Sequence, residues 1–182
     1  LGGGVPLLER DPEVLEKVGR HVEAGASTRV SNGAKRYDAV TNADLVIGAV
    51  LIPGAASPKL VTREMLKDMH KGAVLVDVAI DQGGCFETSR ATTHAEPTYV
   101  IDDVVHYCVA NMPGAVARTS TYALNNVTLP HALRIARMGW KDALAADPHL
   151  AEGLNVHRGE VTYEAVATEL GYDYRPAAEL LR

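Results

Sequence analysis

Four segments that follow predicted strands carry the side chains best suited to chemistry. Glu9 ends the first predicted strand, where a carboxylate of a nucleotide-binding unit accepts hydrogen bonds from ribose hydroxyls and repels a 2′-phosphate, which favours NAD over NADP. Asp81 comes just after another strand, so its carboxylate can bind a substrate ammonium group or orient a proton acceptor. Asn111 offers an amide that can pair with a carboxamide such as that of nicotinamide. In the segment Gly48–Gly54, small residues and a proline follow a buried strand, which allows a flat ligand to approach the backbone.

Each of these segments also has an ordinary structural interpretation. Glu9 can be a solvated residue before a helix, and Asp81 can serve a turn. Asn111 is a common turn former near proline, and a loop explains Gly48–Gly54 equally well. The residue types alone leave both interpretations open.

The cysteines and histidines give no pattern of their own. Cys85 and Cys108 are too few for a disulfide framework and lack a histidine-centred arrangement, so we predict small core residues in a reduced, cytoplasmic protein. The seven His residues are scattered without metal-ligand spacing.

The elements that must position these residues alternate between strands and helices. The apolar runs are nearly continuous, as expected for parallel strands covered on both faces. The predicted strands are Val5–Leu8, Thr28–Ser31, Leu45–Leu51, Ala73–Ala79, Thr98–Ile101 and Val104–Val109. One helix begins after Asp11 with Pro12 in its first turn, and another begins after Thr62 with Gly72 as its C-cap. The alternation predicts an α/β fold, a partial doubly wound parallel sheet of the Rossmann-like kind.

The pattern changes after Met112. Ala115–Met138 has the apolar spacing of long helices, and Pro130 is predicted to kink or divide them. Thr162–Leu170 is predicted as a short helix with Thr162 as N-cap and Gly171 at its end. We therefore expect a truncated nucleotide-binding domain over 1–112 and a helical C-terminal region over 113–182.

Composition excludes several other classes. The chain has 182 residues, a formal net charge of −5 and 47% apolar residues, so it can bury a core. No basic stripe suits nucleic acid, and the longest apolar stretch falls far short of the roughly 20 residues that span a bilayer. We predict neither nucleic-acid nor membrane binding.

Four long motifs resemble the alanine dehydrogenases. They are ADLVIGAVLIPG at 43–54, VLVDVAIDQGGCFE at 74–87, CVANMPGA at 108–115 and RGEVTY at 158–163. The motif IDQGG at 80–84 distinguishes this chain from the related transhydrogenases. The resemblance extends from about Val5 to the C-terminus.

The resemblance implies NAD-dependent oxidative deamination of L-alanine to pyruvate and ammonia, and the reverse amination. Position by position it implies that Asp81 is the catalytic carboxylate and that NAD is the cofactor. The implied cofactor-binding residues are Glu9, Ser31, Val50, Leu51, Val78, Ala79, Ile80, Asp81, Arg90, Val109, Ala110, Asn111 and Met112.

Departures from the family pattern matter as much as the matches. A complete member is about twice as long, with a substrate domain that supplies an Arg, a Lys and a His, and the Gly-x-Gly-x-x-Gly turn that holds a pyrophosphate is not found here. Val14 replaces a basic residue of the family. Arg134 and Met138 replace a metal-binding Glu and His of some members, so no metal is predicted.

Two functional hypotheses follow, beside a third in which the chain is a proteolytic fragment of a full-length enzyme with no function of its own. The first is a truncated, alanine-dehydrogenase-like oxidoreductase with reduced or altered activity on a small amino or keto acid. The alternative is a non-catalytic module that binds NAD(H) or associates with itself. A sheet with an exposed edge favours a homodimer or a higher homo-oligomer in both cases.

Overall fold

The computed structural model describes residues 4–21, 26–54 and 56–181, and strands alternate with helices through the first part of the chain. The strands are β1 (Val5–Glu9), β2 (Ala26–Val30), β3 (Leu45–Gly48), β4 (Val74–Asp77), β5 (Thr98–Ile101), β6 (Val104–Tyr107), β7 (Val156–His157) and β8 (Glu160–Val161). The α-helices are α1 (Pro12–Gly19), α2 (Gly33–Thr41), α3 (Arg63–Lys67), α4 (Ala117–Met138), α5 (Trp140–Ala145), α6 (Pro148–Ala151), α7 (Glu164–Leu170) and α8 (Ala177–Leu180). Two 3₁₀ helices, η1 (Val78–Gln82) and η2 (Met112–Val116), follow strand ends.

The chain divides into two compact units. The first unit comprises Leu1–Val50 and Pro58–Ala110, and the second comprises Leu51–Ser57 and Asn111–Arg182. The first unit holds β1 to β6, whereas the second holds α4 to α8 and the small β7–β8 hairpin.

Parallel pairing dominates the first unit. β1 pairs with β2 in parallel, and a four-stranded sheet has the order β3-β4-β6-β5. Its first three strands are parallel, and β5 is antiparallel to β6. The predicted α/β class with a mostly parallel sheet is confirmed.

The core of the first unit lies on the β4 strand and its neighbours. Leu75 and Val104 are fully buried within the sheet, and Leu66 of α3 and Phe86 are buried against them. Burying apolar side chains of this size contributes about 1.5–3 kcal/mol each, which fixes the sheet and the strand ends.

Several predicted strands end earlier than expected. The run Leu45–Leu51 forms a strand only to Gly48, and Ala73–Ala79 forms one only to Asp77 because the next residues turn into η1. The β6 strand ends at Tyr107 rather than Val109. The residues beyond each strand are still apolar, but they line loops at the end of the sheet.

Local capping signals predicted some helix boundaries and missed others. Asp11 caps α1 by accepting a hydrogen bond from the Glu13 amide, as predicted. The prediction that Gly72 caps α3 was wrong, since α3 ends at Lys67 and Gly72 instead donates its amide to the Asp103 carbonyl at 2.8 Å. Helix α2, whose N-cap is Asn32, was not predicted.

The C-terminal helices differ from the prediction at Pro130 and at Thr162. α4 runs without a break through Pro130, so the expected division is wrong. Thr162 is not the N-cap of α7, which begins at Glu164, because its hydroxyl donates to the Leu154 carbonyl at 2.6 Å. Gly171 ends α7 with φ +70°, as predicted.

Within the described residues, no helix is both long and apolar enough to cross a membrane.

Candidate functional site

The carboxyl ends of three parallel strands lie at one edge of the larger sheet. β3 is followed by Ala49 and Val50, β4 by η1, and β6 by Cys108 to Ala110. Ligands of doubly wound folds bind at this edge, where the connecting loops diverge. Of the predicted site residues, this edge therefore brings together Val50, Val78, Ala79, Ile80, Asp81, Val109 and Ala110.

The η1 turn presents two side chains to solvent and buries two. Ala79 and Ile80 are buried, whereas Val78 and Asp81 are exposed. The turn is closed by hydrogen bonds from the Gly83 amide to the Ile80 carbonyl and from the Gly84 amide to the Ala79 carbonyl, both at 3.0 Å. Among the described residues, Asp81 has no hydrogen-bond or ion-pair partner, so its carboxylate faces solvent.

Glu9 and Ser31 lie side by side at the end of the smaller sheet. The Ser31 amide donates to the Glu9 carbonyl at 2.7 Å. The Glu9 Oε1 atom accepts from the amides of Arg10 at 2.5 Å and Asp11 at 3.2 Å. These bonds orient the carboxylate, and Oε2 has no partner in the described part of the chain.

Arg90 belongs to a short column of stacked groups. Its guanidinium lies 4.3 Å from the centroid of the Tyr99 ring, and Tyr99 stacks on His106 at 4.8 Å between centroids. His106 is fully buried, accepts or donates at Nε2 with Thr88 Oγ1 at 2.7 Å, and approaches the Val104 carbonyl through Nδ1 at 3.0 Å. Burial lowers the pKa of His106, so the neutral ring is favoured there.

Three predicted residues belong to the second unit. Leu51 is exposed, and Met112 is half-buried at the start of η2. Asn111 has φ +58° and precedes η2, and its carbonyl accepts from the Gly114 amide at 2.9 Å. Asn111 thus forms part of a turn, as its residue type allows, and it is exposed.

Two residues with no predicted role, Asp77 and Lys59, hold the η1 segment. Asp77, the last residue of β4, is fully buried, and its Oδ2 accepts from the Cys85 amide at 2.8 Å and from the Ser89 hydroxyl. Lys59 donates from Nζ to the carbonyls of Gly83 and Gly84, both at 2.7 Å. The available signal was the position of Asp77 at the end of an apolar run, where a charge is costly unless it is paired.

The two cysteines are buried thiols without a disulfide. Burial and the neighbouring Asp77 carboxylate raise the pKa of the Cys85 thiol to about 12, so it stays protonated and is a poor nucleophile. Cys108 Sγ lies 3.5 Å from the Tyr99 hydroxyl.

The predicted absence of a metal stays a prediction. In the described ranges, no group of three or more His, Cys, Asp or Glu side chains is arranged to hold a metal ion. Arg134 forms an ion pair with Asp147.

The residues at the strand ends fit a nucleotide. Glu9 presents an oriented carboxylate oxygen, which is the acceptor that a ribose hydroxyl requires. Val78 presents exposed apolar surface directly after β4, which suits a planar ring. The parallel sheet, its crossover helices and these strand ends define a Rossmann-like α/β fold.

Comparison with known proteins gives the family. Residues 1–164 match the family model described as the C-terminal domain of alanine dehydrogenase/PNT. The chain belongs to this family.

Curated relatives extend the match to the whole chain. The chain is 59% identical over 181 residues to an alanine dehydrogenase of Halomonas elongata, covering 100% of this chain and 49% of that protein. It is 53% identical over 183 residues to an alanine dehydrogenase of Bacillus subtilis, covering 100% of this chain and 48% of that protein. The chain thus spans about half the length of the curated relatives it matches.

Solved structures agree with this assignment. An L-alanine dehydrogenase superposes with a TM-score of 0.79 at 44% identity, covering 92% of this chain and 46% of that one. A transhydrogenase from Sinorhizobium meliloti superposes with a TM-score of 0.62 at 29% identity, covering 88% and 42%. The resemblance predicted from the four sequence motifs is confirmed, and the chain corresponds to the C-terminal part of its relatives.

Proposed function

We propose that this chain is the NAD(H)-binding part of an alanine-dehydrogenase-like oxidoreductase. The observation that carries the proposal is the convergence of the family motifs on strand ends: the residues after β3, β4 and β6 lie at one edge of a parallel sheet. The identity to alanine dehydrogenases across the whole chain supports the same assignment.

Glu9 and Ser31 are the proposed adenosine-side residues. The Glu9 carboxylate is held by two backbone amides through Oε1, which leaves Oε2 to accept from a ribose hydroxyl. Its negative charge repels a 2′-phosphate, so the proposal includes a preference for NAD over NADP.

Val78 to Asp81 are the proposed nicotinamide-side residues, and Val50, Arg90, Val109 and Ala110 of the same unit complete the proposed cofactor site. NAD, when bound, accepts or supplies the hydride, and the protein provides orientation and charge. We assign to the exposed Asp81 carboxylate the role of holding a substrate ammonium group or accepting a proton from it. The substrate in this proposal is a small amino or keto acid, alanine and pyruvate first, and the chain acts in the cytoplasm.

A second candidate is a non-catalytic NAD(H)-binding module that associates with itself. One observation favours it: α4 has no buried residue, and it exposes large apolar side chains including Leu124, Val127 and Leu133. A second copy of the chain covering α4 would give a homodimer or higher homo-oligomer. Sedimentation of the chain over a range of concentrations decides between a monomer and this assembly.

Calorimetric titration with NADH tests the proposed function. We expect saturable heat with NADH and weaker binding of NADPH. No binding at millimolar NADH, with the chain folded by circular dichroism, overturns both the proposal and the second candidate's cofactor role.

An Asp81→Asn variant tests the catalytic assignment. Loss of an acid–base group costs about 10²- to 10⁴-fold in rate, so alanine-dependent NADH formation should be abolished while NADH affinity is nearly unchanged. Asp44→Asn, which changes an exposed carboxylate before β3, is the matched control. Equal activity in Asp81→Asn and the unmodified chain removes Asp81 from catalysis.

A further inference from the structure

The carboxylate of Asp77 joins the two ends of the segment that carries Asp81. Asp77 is the residue before η1, and its partners Cys85 and Ser89 follow that turn. The Cys85 amide donates to Oδ2 at 2.8 Å, the Phe86 amide donates to the same atom at 3.4 Å, and the Cys85 thiol donates to Oδ1 at 3.4 Å. One buried carboxylate therefore closes a loop over residues 78–84.

The packing against this loop is tight at Gly84. A Cβ atom added to Gly84 would lie 2.6 Å from Ser89 Cβ and 2.7 Å from Asp77 Oδ2, and Gly84 has φ +75°. The Lys59 ammonium group contacts the loop at a separate place, through the carbonyls of Gly83 and Gly84. Asp77 thus accepts hydrogen bonds from amides at the end of this segment, and Lys59 donates hydrogen bonds to its carbonyls.

Asp77 is too deeply buried to touch a ligand. Its side chain is fully enclosed, whereas Asp81, four residues later, is exposed and makes no bond within the described ranges. The two carboxylates of this segment therefore have different tasks, one satisfied by donors inside the protein and one directed to solvent.

We propose that Asp77 is a positioning residue that fixes the η1 segment, and with it Val78 and Asp81, at the nicotinamide side of the site, with Lys59 as its outer counterpart. The nicotinamide part of this inference rests on the proposed function. The part that concerns the loop rests on the hydrogen-bond geometry alone. Asp77 acts through the loop and has no contact with the cofactor.

Amide hydrogen exchange tests the loop itself. Asp77→Asn replaces the charged oxygen that accepts from Cys85, Phe86 and Ser89 by a neutral carbonyl oxygen, and it places an NH₂ donor opposite the Cys85 thiol, so all of these hydrogen bonds weaken. We expect exchange at the Cys85 and Phe86 amides to speed up by about tenfold or more, since hydrogen bonds to a charged group are among the stronger ones. Exchange in β4 should stay unchanged, as it should throughout for the control Asp44→Asn.

Ligand binding tests positioning against a general loss of structure. NADH carries nicotinamide, and ADP-ribose lacks it, so the ratio of their affinities measures the nicotinamide side alone. In Asp77→Asn we expect NADH affinity to fall toward that of ADP-ribose, while ADP-ribose affinity stays the same. Equal weakening of both ligands, or no change in either, overturns the positioning role.

Further variants keep the test decisive. If Asp77→Asn does not fold, Ser89→Ala removes one donor and keeps the carboxylate, and Lys59→Gln removes the outer contact; each should speed exchange over 83–86 without changing β4. Uniform exchange across 83–86 and β4 in these variants contradicts the inference. If the unmodified chain binds neither NADH nor ADP-ribose, the proposed function fails, and the exchange result still decides whether Asp77 fixes the loop.

Discussion

The Tyr99 ring contacts both the Arg90 guanidinium, whose central carbon lies 4.3 Å from the ring centroid, and the His106 imidazole, which stacks on it at 4.8 Å between centroids. The Tyr99 hydroxyl also accepts from the Arg90 amide and donates to the Thr88 carbonyl, both at 2.9 Å. One side chain of β5 thus orients the backbone and the cationic group of Arg90 together.

Substitutions at Tyr99 separate these two contributions. Tyr99→Phe keeps the ring and removes both hydroxyl bonds, so we expect a loss of about 1–2 kcal/mol of unfolding free energy. Tyr99→Leu also removes the aromatic face and should cost about 0.5–1 kcal/mol more from the cation–π contact alone. Urea unfolding measures both, and Tyr122→Phe, an exposed change on α4, is the control. Equal losses for Phe and Leu at position 99 would show that the ring contributes nothing to Arg90.

Gly84 and Gly72 form a matched pair for a test of the η1 segment. Both have positive φ, +75° and +79°, but an added Cβ meets Ser89 and Asp77 at Gly84 and open space at Gly72. Gly72→Ala should cost about 1–2 kcal/mol from backbone strain. Gly84→Ala should cost about 2–5 kcal/mol because overpacking adds to the strain. Thermal or urea unfolding checks the order, and a smaller loss at Gly84 contradicts the packing described.

Glu9→Gln tests the cofactor preference. The amide is similar in shape but uncharged, so it no longer repels a 2′-phosphate, and we expect the ratio of NADH to NADPH affinity to fall. Titration with both cofactors measures this ratio. Glu13→Gln, an exposed change in the first turn of α1, should leave it unaltered. A ratio unchanged in Glu9→Gln excludes Glu9 from discrimination.

The buried His106 should make the free energy of unfolding depend on pH. Burial lowers its folded pKa below the ordinary value of 6.5, so the unfolded chain binds a proton at a pH where the folded chain does not. Stability contributed by the neutral ring is therefore complete above pH 6.5 and falls as the pH decreases from 6.5 toward the folded pKa.

The variant His106→Asn should be less stable at neutral pH but should have a flatter profile below pH 6.5. Urea unfolding at a series of pH values measures the slope, and His131→Gln on the exposed face of α4 is the control. An identical slope in His106→Asn would assign the pH dependence to other groups.

Local sequence signals predicted the framework of this fold because they act within a few residues. The Asp11-Pro12 pair starts α1, Gly171 ends α7, and the apolar runs mark six strands of the first unit. The motif residues after β3, β4 and β6 could be grouped because parallel strands end at the same side of a sheet.

The remaining features depend on contacts between distant parts of the chain. The partners of Asp77 come from residues 85–89, and Lys59 reaches Gly83 and Gly84 across more than twenty positions, so no local pattern indicates either contact. Pro130 signals a break that α4 does not contain, since a proline removes one hydrogen bond while the rest of the helix persists. The assignment of Glu9, Asp81 and Arg90 to a cofactor stays a prediction for the ligand experiments above.

The β3 strand has consequences for handling the chain in solution. It pairs with β4 on one side, and on the other side it forms no ladder with any described strand, while Leu45 and Ile47 are 54% and 62% exposed. Unsatisfied backbone groups next to apolar side chains are a template for intermolecular strand addition and aggregation. A charged residue in place of Ile47, such as Ile47→Lys, should therefore raise the concentration at which the chain stays in solution, because it changes an exposed side chain and leaves the buried side of the sheet unaltered.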